Sequence, residues 1–289
     1  MLAIILALAA AAGYGGSDFA AGLASRRASV IRVTLLSEAV SVAVVGLALA
    51  AAGAHPPDPR AVAWGAVAGL AGVSGALALY AGFRHAAFSV AGPLSAVGAA
   101  GFSVLAGLLL GERPTALALT GIVLALPAIV GVSASVRAPS AAGAAARGRA
   151  ALGVSYGLVA GACFALLFIG LSQAGSGSGL WPVFCGQVTA LAAVGCVGAV
   201  TGDLRLPEAR GWWLAALTGL TGAPATVLYF LATHHGLLAI TAVITSLYPA
   251  VTIMLARVLL GERLTAVRLT GLLLAAASVA LIAAGSHSQ

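Results

Sequence analysis

Gly111-Glu112-Arg113-Pro114-Thr115, followed by Leu119-Thr120-Gly121, returns 150 positions later as Gly261-Glu262-Arg263-Leu264-Thr265, followed by Leu269-Thr270-Gly271. Each copy closes one long apolar run and opens another. The same offset pairs Arg60 with Arg210, Gly69 with Gly219, Gly72 with Gly222 and His85 with His235, with no gap between those points. The chain is therefore an internal duplication, and that periodicity frames every other reading of it.

Apolar residues make up 61% of the 289 positions and charged residues 7%, with a mean hydropathy of +1.10. A soluble domain carries about 25% charged residues, so this chain cannot cover a water-facing surface and lipid must be its main solvent. All 14 basic residues are arginine. The net charge of +7 and pI near 10.2 do not point to nucleic acid, because the arginines are scattered between apolar runs, as in membrane loops. Cys163, Cys185 and Cys196 all fall inside apolar runs, with no C-x-x-C spacing. They read as small buried hydrophobes, not as a disulfide or metal framework. No cofactor is expected.

A bilayer crossing takes roughly 20 apolar residues. On that measure ten helices are expected, at about 2–22, 30–53, 62–82, 87–110, 115–135, 152–172, 181–201, 211–232, 237–260 and 265–285. The first is read as a retained helix, since its apolar run continues past Phe19 and no basic residue precedes it. Strands of a β-barrel would alternate over about ten residues, which these runs do not. The expected fold is all-α and integral to the membrane. Residues 1–136 hold helices one to five, 137–150 form a polar linker, and 151–289 hold helices six to ten. Five crossings leave the chain on the side opposite its start, so the second copy must insert upside down. In inverted repeats the substrate path lies between the halves, near the midplane. Gly65, Gly69, Gly72 and Gly75 in helix three, matched by Ala215, Gly219, Gly222 and Ala225 in helix eight, read as a close-packing seam.

The doubled Gly-Glu-Arg and Leu-Thr-Gly runs resemble the EamA-type repeat of the drug/metabolite transporter superfamily. Gly13-Tyr14-Gly15-Gly16-Ser17-Asp18-Phe19 and Ser246-Leu247-Tyr248-Pro249 carry the same resemblance, which covers essentially the whole chain. It implies a ten-helix secondary carrier in the bacterial inner membrane that moves a small-molecule substrate, often outward, and is not an enzyme. Pro93 and Pro249 lie in the matching helices four and nine but six positions out of register.

In hydrocarbon an ionisable side chain costs about 2.5–3.5 kcal/mol at a helix centre on insertion scales. Asp58, Glu112, Asp203, Glu208 and Glu262 sit in or beside loops, which leaves Asp18 and Glu38 inside helices. These two are the candidates for coupling to a proton or another ion. A carboxylate there is expensive to keep charged, so it can alternate between holding a proton and holding substrate. For Asp18 the competing reading is an interfacial pair with Arg26 or Arg27. For Glu38 it is a pair with Arg32, six residues earlier and poorly placed on a helix face. Arg32 either snorkels or binds substrate. Glu112-Arg113 and Glu262-Arg263, at helix ends, should bind each other or cap the following helix. Tyr14, Gln187 and Tyr248 are the favoured polar and aromatic groups for a midplane pocket. Trp181, Tyr80 and Tyr229 are further candidates that also fit an interfacial belt. His85, His234 and His235 read as surface residues at helix ends. Of the in-helix prolines, Pro249 beside Tyr248 is the best gating candidate.

The arginine count argues for both termini outside, whereas the resemblance implies both inside. Export driven by proton exchange is the leading reading. Uptake by the same fold, and a membrane-embedded enzyme, are the alternatives, although no H-E-x-x-H or paired intramembrane histidines are present. The sequence leaves cargo and a monomeric or homodimeric state open.

Overall fold

The computed structural model describes residues 1–53, 57–85, 88–133, 144–204, 211–260 and 265–286. The first half comprises α1 (Leu2–Ala24), α2 (Val30–Ala52), α3 (Pro59–His85), α4 (Phe88–Leu109) and α5 (Ala116–Ser133). The second comprises α6 (Ala144–Gln173), α7 (Trp181–Thr201), α8 (Trp212–Thr233), α9 (Leu238–Thr245), α10 (Tyr248–Leu260) and α11 (Ala266–Ser286). Among the described residues, eight segments are long and apolar enough to cross a membrane, with α9 and α10 counted as one. The apolar parts of α4 and α5 are shorter. Each half therefore has five segments, and the fold is an all-α bundle of two inverted repeats. α6 begins at Ala144, earlier than the expected 152. Glu208, Glu262, Arg263 and residues 137–143 of the expected linker lie outside the described residues.

The two halves do not stand side by side. α1 and α2 of the first half pack on α8, and α1 also packs on α9 and α10. In mirror fashion, α6 and α7 of the second half pack on α3, and α6 packs on α4. The result is two mixed groups, one built on α1, α2 and α8 and the other on α3, α4, α6 and α7, with α5 and α11 paired against each other. The gap expected between the halves is thus a gap between groups that each borrow helices from both.

Lipid supplies no hydrophobic drive for helix association, so contacts depend on close backbone approach. A Cβ at Gly69 would lie 1.9 Å from the Gly186 carbonyl oxygen, and one at Gly219 would lie 2.3 Å from that of Ser37. The 150-residue offset reappears in these contacts. Gly72 faces Leu167 while Gly222 faces Ser17, and Gly75 meets Cys163 while Ala225 meets Gly13.

The opening motif resolves into separate tasks. Gly111 takes φ +94°, a left-handed turn that favours glycine. Thr115 Oγ1 accepts the Ala118 N–H at 3.2 Å and so caps α5, as Thr265 accepts the Arg268 N–H at 3.4 Å at the start of α11. Glu112 does something else. Its Oε1 accepts the Leu238 N–H at 2.5 Å and its Oε2 the Ala239 N–H at 2.9 Å. The carboxylate therefore caps α9 in the other half, not the helix that follows it, because a helix start lacks internal acceptors wherever its donor-satisfying group comes from. Arg113 reaches Glu112 at its backbone carbonyl, 3.1 Å away, not at the carboxylate.

The ninth segment breaks at Ser246–Leu247. Pro249 has no N–H, so the Thr245 carbonyl loses its helical donor, and the chain tightens, with Leu247 N–H bonding Ile244 and Ala250 N–H bonding Leu247. α4 runs uninterrupted through position 93. Of these two matching segments, only the one in the second half is interrupted.

Glu112→Ala should lower stability by about 1–2 kcal/mol, read as a lower thermal midpoint of the detergent-solubilised protein; an unchanged midpoint would deny the cap any weight. Gly69→Ala should sharply reduce the folded, monodisperse yield, whereas Gly195→Ala, where an added Cβ meets nothing within 4 Å, should not.

Candidate functional site

Between the two mixed groups lies a cavity of about 150 Å³, walled by α1, α2, α3, α6, α7 and α8, with Tyr248 at the start of α10. Asp18 of α1 and Glu38 of α2 both line it. Tyr14 and Tyr80 line the same cavity as the two carboxyl groups. Glu38 Oε2 is enclosed and has no hydrogen-bond partner, and the same holds for Thr34 Oγ1, one helical turn away on α2. Neither carboxylate forms an ion pair among the described residues.

Several other polar groups in or beside the wall are satisfied within the protein, which spares their burial cost. Tyr14 Oη donates to Thr226 Oγ1 at 3.0 Å, and Ser17 Oγ donates to the Thr218 carbonyl at 3.0 Å. Tyr248 Oη and Ser95 Oγ lie 3.4 Å apart. These bonds tie α1 to α8 and α10 to α4, and they fix the wall's shape.

Of the residues singled out in the sequence, Tyr14, Asp18, Glu38, Tyr80, Gln187 and Tyr248 converge on the cavity. Arg32, Trp181 and Tyr229 do not line it. Arg32 Nε donates to Asp203 Oδ1 at 2.6 Å, and Ser29, the N-cap of α2, also donates to the Asp203 carboxylate. The pair is partly exposed, 26% and 20% for the two side chains. It is thus screened, worth about 0–1 kcal/mol, and it draws Arg32 away from Glu38. Trp181 opens α7 and packs edge-on against Phe184, with ring centroids 5.9 Å apart. Tyr229 is fully buried, donates to the Phe168 carbonyl at 3.3 Å, and sets its ring 4.4 Å from that of Phe168. It stands behind the wall and holds a residue that is in it. His234 is half-buried against Phe230, and desolvation lowers its imidazole pKa from the usual value although a Gly175 backbone bond opposes this.

Sequence reasoning missed Phe164 and Phe168, which line the cavity. The signal for them was the repeat itself. They are the counterparts, 150 positions on, of Tyr14 and Asp18, just as Gln187 is the counterpart of Ser37. The cavity lies on the pseudo-two-fold axis, with matched positions on both sides and different chemistry at them.

The sequence pattern of the EamA-like transporter family matches residues 1–134 and 151–284, one match in each half and in the same 150-residue register as the wall. The chain belongs to the EamA-like transporter family. It is a multi-pass membrane transporter of the drug/metabolite type, and a small-molecule substrate and the lipid bilayer are its partners. A solved crystal structure superposes on the EamA fold seen here with a TM-score of 0.80, at 16% identity, over 96% of this chain and 95% of the other; that likeness speaks to the fold alone. No curated protein sequence matches the chain.

In this EamA protein Tyr229→Phe should cost about 1 kcal/mol by removing the bond to Phe168. Tyr229→Ala should cost about 3–5 kcal/mol by leaving a void. Thermal midpoints of the two variants check the order, and equal midpoints would contradict the supporting role.

Proposed function

We propose that the cavity is the carrier site of an exporter that moves a small amphiphilic metabolite or drug across the bacterial inner membrane in exchange for protons. The observation that supports this most is the enclosed, unpartnered Glu38 carboxyl group beside Asp18. An ionised carboxylate in low dielectric demands a counter-charge. A proton and a bound substrate can each supply what it lacks, and the site holds one or the other. Facing the cytoplasm, the carboxyl group loses its proton and takes up cargo; facing outward, a proton displaces the cargo. Each cycle then exchanges inward proton movement for outward cargo movement.

Alternating access needs ends that open in turn. By the up-and-down course of the helices, the Glu112 cap on α9 and the Arg32–Asp203 pair lie at opposite ends of the bundle. The break at Ser246–Leu247 puts a bend beside Tyr248, at the wall of the cavity. In this reading Asp18 and Glu38 couple, Tyr14, Tyr80, Gln187 and Tyr248 shape the site, and Tyr229, Trp181 and Arg32 position the helices around it.

The test is transport in proteoliposomes with and without an imposed pH gradient, using a panel of small amphiphiles. Gradient-driven efflux should fall at least about tenfold in Glu38→Gln and in Asp18→Asn, because each removes one exchangeable proton. Undiminished gradient-driven flux in both variants sinks the coupling role, and inward accumulation with the gradient would make the protein an uptake carrier.

A further inference from the structure

We infer that the cargo is a compact organic cation: a primary amine bearing roughly one ring of apolar surface and no free carboxylate. The inference rests on the reading of this cavity as the carrier site, and it narrows the class of molecule that site accepts.

Charge comes first. Two carboxyl groups, Asp18 and Glu38, line the cavity, and among the described residues no basic side chain does. The nearest arginine along α2, Arg32, is committed to Asp203. An anionic or zwitterionic ligand would bring its own carboxylate to a site that already holds two carboxyl groups, with no basic side chain among the described lining residues to meet it. Like charges brought into one site disfavour binding in low dielectric.

Hydrogen bonding narrows the cation. Thr34 Oγ1 and Glu38 Oε2 are both enclosed, both without a partner, and one turn apart on the same face of α2. Buried polar atoms left unsatisfied are costly, and these two are the ones that fall on cavity-lining residues, where a ligand could satisfy them. An ammonium group presents three donors from one point and can serve both oxygens at once. A quaternary ammonium carries the same charge but no N–H, and would leave both atoms unsatisfied.

The opposite wall defines the rest of the molecule. At the positions equivalent to Tyr14 and Asp18, the second half supplies Phe164 and Phe168. The scaffold is symmetric, but its contents are not: the first half supplies both acids, beside Tyr14 and Tyr80, and α6 of the second supplies apolar side chains and rings. A ligand that fits must itself be two-ended, with the ammonium toward α1 and α2 and a flat apolar body toward α6. Cavities of about 150 Å³ admit a benzene-sized molecule, and the volume here is about 150 Å³. The part of the molecule held between the walls is thus roughly one ring.

The experiment uses compounds that share one ring and differ in charge. Equilibrium binding to the purified full-length protein is measured for phenethylamine, its trimethylammonium analogue, phenylalanine and phenylpropionate. Phenethylamine should bind at least about tenfold more tightly than phenylalanine and several-fold more tightly than the trimethylammonium analogue, with phenylpropionate weakest. Its affinity should rise with pH, since the carboxyl groups bind it ionised. Glu38→Gln should weaken phenethylamine by about tenfold or more. Thr34→Val, which keeps the side-chain shape, provides a second variant and should weaken it by a smaller factor. Ethidium, with a larger fused body, should bind less tightly than phenethylamine.

Equal or tighter binding of phenylalanine or phenylpropionate, or no binding of phenethylamine, overturns the inference. So does insensitivity of phenethylamine binding to both substitutions. The two readings separate cleanly. If phenylalanine exchanges for protons in proteoliposomes and phenethylamine neither binds nor moves, carriage stands and the cation assignment falls. If the predicted binding order holds but no compound moves under any gradient, the cation site stands and carriage falls.

Discussion

The approach of Gly69 to the Gly186 carbonyl, and of Gly219 to that of Ser37, is the constraint from which the rest of this architecture follows. Between helices in lipid, burying an apolar side chain gains nothing, because the acyl chains it leaves are equally apolar. What remains is van der Waals contact, and contact at this range tolerates no Cβ. The seam lets α3 approach α7 and α8 approach α2 closely enough that backbone meets backbone. Only then can the groups at the ends, such as Glu112 on α9, reach their partners in the other half.

The same interlocking explains why the cavity is symmetric in position and lopsided in chemistry. Packing contacts recur at the 150-residue offset because the seams of both halves solve one problem. The cavity lining is free of that problem. Residues there have one side on open space, so Asp18 and Phe168, or Tyr14 and Phe164, can differ in chemistry while each keeps its own contacts, as Phe168 does with Tyr229 and Tyr14 with Thr226. Where hydroxyls in the wall are not aimed at cargo, they are tied down across helices, as Tyr14 is to Thr226. A wall of that kind is preorganised, and little ordering is left for a ligand to impose.

The scaffold was legible in the sequence because hydropathy and repeat offset are strong signals over long windows. The ten segments, the duplication and the glycine seam are all read from residue order alone. The Gly-Glu-Arg motif shows where such reading stops. Its place at a helix end pointed to a capping role, but the helix it caps starts 126 positions later, at Leu238, and no local pattern encodes that distance. Arg32 likewise finds its carboxylate in Asp203, 171 positions on. Tyr229 looked like a wall or belt residue because its type and depth fit both, and only packing reveals that its ring lies behind Phe168. The break at Ser246–Leu247 was half-legible. Pro249 announces lost helical bonding, but the exchange of bonds upstream of it depends on the turn the chain then adopts. Phe164 and Phe168 are legible through the 150-residue offset from Tyr14 and Asp18, which carries a candidate in one half to its counterpart in the other.

Because α1 and α2 pack on α8, while α6 and α7 pack on α3, neither five-segment half contains its own set of helix neighbours. A single half would present bare seams to lipid and an uncapped α9 to nothing. The halves therefore complete their packing together, and helices of the first must wait in the membrane for partners that follow them in the chain. Because both halves belong to one chain, that encounter is intramolecular, set by tether length instead of by abundance in the membrane.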